Sequence, residues 1–181
     1  MRKLKITSRE AAYISVMAAS IYVATSIAVP MPRPLGIWHF GDVITFITGI
    51  LFGPIVALLA SAIGPTLFDV WNPLHGSSYI VYAPATLVIR GFMGWILGSL
   101  RGVFRGKPRS SEILAMVAAV TEKNIGYFLY DYYLYGPVAY LDLVTFFPMD
   151  ALYIILTVPL LTALRRLLGR MYIVPPHWTV T

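Results

Sequence analysis

Between Val43 and Val70 the chain is apolar almost without interruption, and Gly53-Pro54 stands near the middle of that stretch. As one helix its roughly 28 residues would be about 42 Å long, well beyond a hydrocarbon core of roughly 30 Å. Proline in a helix interior removes a hydrogen bond and collides with the preceding turn. The stretch therefore reads as two short helices joined by a tight Gly-Pro turn. Only 12% of the 181 residues are charged and 58% are hydrophobic, against about 25% charged in an ordinary soluble domain. With a mean hydropathy of +0.74, bilayer solvent accounts for the deficit. The length suits a single transmembrane domain over 1–181, an all-α polytopic bundle.

Basic residues mark the ends of the apolar runs. Arg2, Lys3, Lys5 and Arg9 precede the first run, Arg101, Arg105, Lys107 and Arg109 follow the fourth, and Arg165, Arg166 and Arg170 close the last. That distribution is a topology signal rather than a nucleic-acid patch, despite a net charge of +6. The basic-then-apolar start also occurs in signal peptides, and Ser26-x-Ala28 fits a cleavage site. A run of about 19 residues exceeds the 7–15 of such segments, so it reads as a span. Spans are expected at about 10–29, 42–52, 54–70, 82–100, 112–134 and 142–168. Placing all three basic clusters in the cytoplasm requires an even number of spans between them, which the split at Gly53-Pro54 supplies. The expectation is six transmembrane helices in the cell membrane with both termini cytoplasmic.

The outer loops, about 30–41, 71–81 and 135–141, are then aromatic. They hold Trp38, His39, Trp71, Asn72, His75, Tyr79, Tyr135 and Tyr140, with Arg33 as the lone basic residue. An interfacial belt explains part of this. Aromatics with a few hydrogen-bonding groups also describe a pocket for a flat polar ring.

Arg90, Glu122, Lys123, Asp131 and Asp150 fall inside the expected spans. Charges in a bilayer face the bundle and pair. At about 1.5 Å of rise per residue, Arg90 and Asp150 lie about 12 Å below the outer ends of their spans, and Glu122 and Lys123 about 15 Å above the inner end of theirs. The economical pairing is Arg90 with Glu122 and Lys123 with Asp150, which locks the bundle or also serves a ligand. Lys123, Tyr127 and Asp131 form one polar stripe rising outward, as a ligand cavity requires. Ala11, Ser15 and Ala19 form a small-residue face on the first span that admits a partner helix.

Without cysteine there is no disulfide, thiolate zinc site or thiol nucleophile. No phosphate-binding G-x-x-x-x-G-K-[ST], H-E-x-x-H or G-x-S-x-G motif is present, so ATP hydrolysis falls to another subunit if it powers transport. No catalytic residue, metal site or cofactor is expected. Substrate-binding candidates are Trp38, His39, Asp42, Asp69, Asn72, His75, Tyr79, Tyr127, Asp131 and Asp150.

The stretch GIWHFGDVITFITGILFGPIVALLASAIGPTLFDV resembles the S components of energy-coupling-factor (ECF) transporters, with Gly41-Asp42, Gly49 to Pro54, and Asp69 in the family's positions. YAPATLVIRGFMG, with Tyr82, Pro84, Thr86, Gly91 and Gly94, and GYFLYDYYLYG at 126–136 are similar to later parts of the same family; Arg90 stands for a frequent lysine and Asp131 for a frequent glutamate. Many relatives read P-F-N-x-x-Q where this chain has Pro148-Met149-Asp150 and then Tyr153. The resemblance implies a six-helix membrane subunit that captures a small water-soluble vitamin or precursor, such as riboflavin or a hydroxymethylpyrimidine. It further implies a transmembrane coupling subunit, docked on the Ala11/Ser15/Ala19 face, and two cytoplasmic ATPases. Two alternatives remain: a stand-alone proton-coupled carrier using Glu122, Asp131 and Asp150, and a membrane-embedded enzyme using His39, Asp42 and His75.

Overall fold

A computed structural model describes residues 6–30, 37–74, 76–77, 79–104, 107–169 and 172–173. Helix α1, Ser8–Ser26, starts at a capping box. Thr7 Oγ1 accepts from the Glu10 N–H at 3.2 Å, and the Thr7 N–H donates to the Glu10 carboxylate at 2.9 Å, so two otherwise open donors are satisfied reciprocally. A short antiparallel pair follows, β1 (Ala28–Pro30) and β2 (Ile37–His39), with Val29 opposite Trp38. The segment expected to be a plain loop thus carries strand pairing at both of its described ends. Arg33 lies outside the described residues.

Helix α2 spans Gly41–Phe52 and α3 spans Pro54–Val70. Gly53 between them has φ 91°, a conformation costly for any residue with a Cβ, and Pro54 opens α3 where its missing N–H is no loss. A break leaves helix carbonyls open. Here the Ile50 carbonyl accepts from Arg101 Nη1 at 3.0 Å and the Leu51 carbonyl from the Ile173 N–H at 2.9 Å. Tyr172 lies against both Arg101 and Arg165, whose guanidinium carbons are 5.0 and 5.7 Å from its ring centroid. Arg165 also forks onto Glu112 at 2.7 and 3.1 Å.

Helices α4 (Ala83–Leu100), α5 (Pro108–Tyr135) and α6 (Tyr140–Leu168) complete the bundle, with 3-10 turns at Ile80–Tyr82 and Gly136–Ala139. Helices α3 and α4 meet most closely, because a Cβ at Gly94 or Gly98 would collide with the backbone of Ala57 or of Gly53-Pro54.

The two ends of the bundle differ in content. At the basic end, Phe46, Ile50, Leu51, Val56, Met93, Leu97, Met116 and Leu161 form an apolar core. Toward the hairpin end, Asp42, Asp69, Arg90, Lys123, Asp131 and Asp150 are all buried. Meanwhile Val16, Val23, Leu87, Phe92, Val117, Leu129, Val144, Ile155 and Leu160 are exposed. Charges inside and large apolar side chains outside invert the pattern of a water-soluble domain; an apolar solvent around the bundle restores its logic. The helical stretches Ile80–Leu100 and Pro108–Leu168 are long and apolar enough to cross a membrane, and Gly41–Phe52 and Pro54–Val70 are shorter apolar helices.

Candidate functional site

A cavity opens toward the hairpin end and is walled by every helix. Thr25 comes from the end of α1, His39 from β2, Asp42 from α2, and Pro65 and Asp69 from α3. Tyr82, Thr86 and Arg90 come from α4 and the turn before it, Lys123, Asn124, Tyr127 and Asp131 from α5, and Phe146, Met149, Asp150 and Tyr153 from α6.

Its floor is one continuous polar chain. Arg90 pairs with Asp42. Lys123 Nζ lies 2.7 Å from Asp42 Oδ2 and 2.5 Å from Asp150 Oδ1. Asn124 Nδ2 donates to Asp150 Oδ2 at 2.8 Å. The expected contact between Lys123 and Asp150 is present. The expected partner of Arg90 is not: Asp42, not Glu122, holds the guanidinium. Helix α2 has 12 residues and is about 18 Å long. Starting from the basic end it reaches only part of the way across, so its first turn brings Asp42 to the depth of Arg90 and Lys123. Glu122, turned about 100° from Lys123, is only partly buried and makes no ion pair among the described residues.

Above the floor the wall is aromatic and hydroxylic. The Tyr82 hydroxyl donates to Asp131 Oδ1 at 2.8 Å, and the hydroxyls of Thr86 and Tyr127 are 3.0 Å apart. Tyr79 stacks on Phe68, with ring centroids 5.8 Å apart. His39 Nδ1 accepts from the Gly41 N–H at 3.1 Å. Burial pushes the His39 imidazole down to about 4, so the ring is neutral at pH 7. With Nδ1 occupied as acceptor, its proton sits on Nε2.

Several polar atoms of the wall have no partner. Thr25 Oγ1, Asp69 Oδ2, Arg90 Nη2, Asn124 Oδ1 and the Tyr153 hydroxyl are buried without a hydrogen bond. Buried polar groups are normally satisfied, so these open donors and acceptors on residues around one cavity stand out from the rest of the bundle.

Of the ten substrate-binding candidates, His39, Asp42, Asp69, Tyr79, Tyr127, Asp131 and Asp150 line this cavity. Trp38 does not; its ring packs against the apolar core. Asn72 is turned to its own loop. Its Nδ2 donates to the carbonyls of Phe68 and Gly76, each at 3.2 Å, and its Oδ1 accepts from the Leu74 N–H at 3.2 Å. His75 lies outside the described residues. Sequence reasoning passes over Tyr82, Thr86 and Asn124 as wall residues. A signal for them exists: Tyr82, Thr86 and Arg90 recur at i, i+4, i+8, and Asn124 shares a face with Tyr127 and Asp131 at i, i+3, i+7.

Ala11, Ser15 and Ala19 are all exposed on one face of α1, away from the cavity. The Ser15 hydroxyl donates back to the Ala11 carbonyl at 3.0 Å, which leaves that face smooth. No group of three or more His, Asp or Glu side chains suited to a metal ion occurs among the described residues.

A family model described as the S component of an ECF-type riboflavin transporter matches residues 5–166. A protein of Pyrococcus woesei, described as an uncharacterized protein in the gap 3′ region, is 33% identical over 113 residues, which is 61% of this chain and 70% of that protein.

Proposed function

The chain belongs to the family of ECF-type riboflavin transporter S components, and on that premise we propose that its cavity captures riboflavin or a similar flat, water-soluble vitamin precursor for uptake. The family is one of membrane transporter subunits and not of enzymes. The observation that carries the reading is the wall itself: buried donors and acceptors without partners, set among tyrosines above a closed ion-pair floor. Aromatic side chains supply stacking area for a planar ring, and each buried hydrogen bond to its polar edge is worth about 1–3 kcal/mol when lost.

In this reading 1–181 is one domain of six spans, both termini are cytoplasmic, and the hairpin end faces outward in the cell membrane. The exposed Ala11/Ser15/Ala19 face docks a transmembrane coupling subunit, and two cytoplasmic ATPases drive release inward. The chain has no phosphate-binding loop of its own, which is in keeping with that division of labour. A stand-alone proton carrier would need Asp150 as a relay, yet Asp150 is held by Lys123 and Asn124.

The test is to purify the protein from its native cells, denature it and identify the released small molecule by mass spectrometry. A flavin or a pyrimidine vitamin precursor supports the proposal. A protein that stays empty and co-purifies with no ATPase subunit overturns it.

A further inference from the structure

We infer that the cavity selects against anions, so that it takes an unphosphorylated vitamin and rejects that vitamin's phosphate ester. The inference rests on reading the cavity as the substrate site, and it concerns which ionic form of the substrate enters.

The first argument is charge. Among the described residues lining the cavity, the cations are Arg90 and Lys123 and the carboxyls are Asp42, Asp69, Asp131 and Asp150. Both cations are already engaged, Arg90 with Asp42 and Lys123 with Asp42 and Asp150. If every carboxyl is ionised, the wall carries two more negative charges than positive ones; if two are protonated, it is neutral. In neither state is it positive. A phosphate monoester brings up to two negative charges at neutral pH, and like charges brought together in a desolvated site cost several kcal/mol.

The second argument is the hydrogen-bonding surface. Asp69 and Asn124 are 8% and 2% exposed, both line the cavity, and each has a buried acceptor, Oδ2 and Oδ1, without a hydrogen bond. Such atoms call for N–H or O–H donors on the guest, which a phosphate dianion or a carboxylate cannot offer. The matching open donor is Arg90 Nη2. Its charge is balanced by Asp42, so a neutral carbonyl or ring nitrogen suffices for it. The guest that fits is uncharged, with both donors and acceptors on its polar edge.

Riboflavin and riboflavin 5′-phosphate differ in that one group and make the test. Both are titrated by calorimetry into ligand-free full-length protein in detergent at neutral pH, and into the Asp69→Asn and Asp131→Asn variants. The expected result is that the phosphate ester binds at least about 100-fold more weakly than riboflavin, and that at least one isosteric variant narrows this gap by about tenfold. Equal affinity of the two compounds for the wild type overturns the inference. A gap that stays unchanged in both folded variants also overturns it, because exclusion would then be steric. If riboflavin itself does not bind, the riboflavin reading fails instead. The inference is then judged on the compound released from the denatured protein: an uncharged or cationic molecule supports it, and a phosphate ester or carboxylate overturns it.

Discussion

Lys123 is the residue on which the buried polar chain turns, since it touches both Asp42 and Asp150. Removing one partner of a buried ion pair strands the other, at a cost of about 3–5 kcal/mol. Lys123→Met should therefore lower the thermal unfolding temperature of the detergent-solubilised protein. Adding Asp150→Asn should recover much of that loss, because the stranded charge is gone and the amide oxygen still accepts from Asn124. If the double variant is less stable than Lys123→Met alone, the pair does not act as a unit. At this scale the sequence is half legible. The stripe Lys123, Tyr127, Asp131 shows which face of α5 is polar, and that face lines the cavity. The partner of Arg90 is not legible, because pairing depends on how deep Asp42 sits. That depth follows from the length of α2, not from the spacing of charges. Asn72 misleads for a related reason: a polar side chain in an aromatic loop suits a ligand or its own backbone equally well, and here it closes a turn.

Among the elements, the division between α2 and α3 is the most legible, because Gly53-Pro54 forbids continuous helix and the observed break falls there. What the sequence does not convey is how the opened carbonyls of α2 are satisfied. Arg101 and Ile173 come to them from distant parts of the chain, and no local pattern announces such long-range contacts. The α3–α4 seam makes a sharper test of packing. A methyl added at Gly94 would run into the Ala57 backbone, whereas one at Gly126 would meet only the side chain of Ile89. Overpacking against a fixed backbone costs about 1–3 kcal/mol. Gly94→Ala should accordingly reduce the thermal stability of the purified protein more than Gly126→Ala does. Equal effects, or a stabilised Gly94→Ala, would mean that the seam is looser than described.

For the whole molecule, the governing fact is the inversion of polarity: ion pairs inside, and leucine, valine and phenylalanine outside. Low charge content makes the membrane reading legible in the sequence, and the clustering of basic residues suggests an orientation. On the proposed topology, a cysteine introduced at Lys107 in the otherwise cysteine-free chain stays unlabelled by an impermeant maleimide in sealed cells, while one at Ser77 is labelled. The reverse pattern would turn the molecule over. The central claim, that the cavity at the hairpin end is where substrate is held, is tested most directly by calorimetric titration of riboflavin into wild type and into Tyr153→Phe and Tyr127→Phe. The account predicts one molecule bound per chain, with each variant weakened about ten- to a hundredfold while its unfolding temperature stays near that of the wild type. Folded variants that bind riboflavin as tightly as the wild type would contradict it.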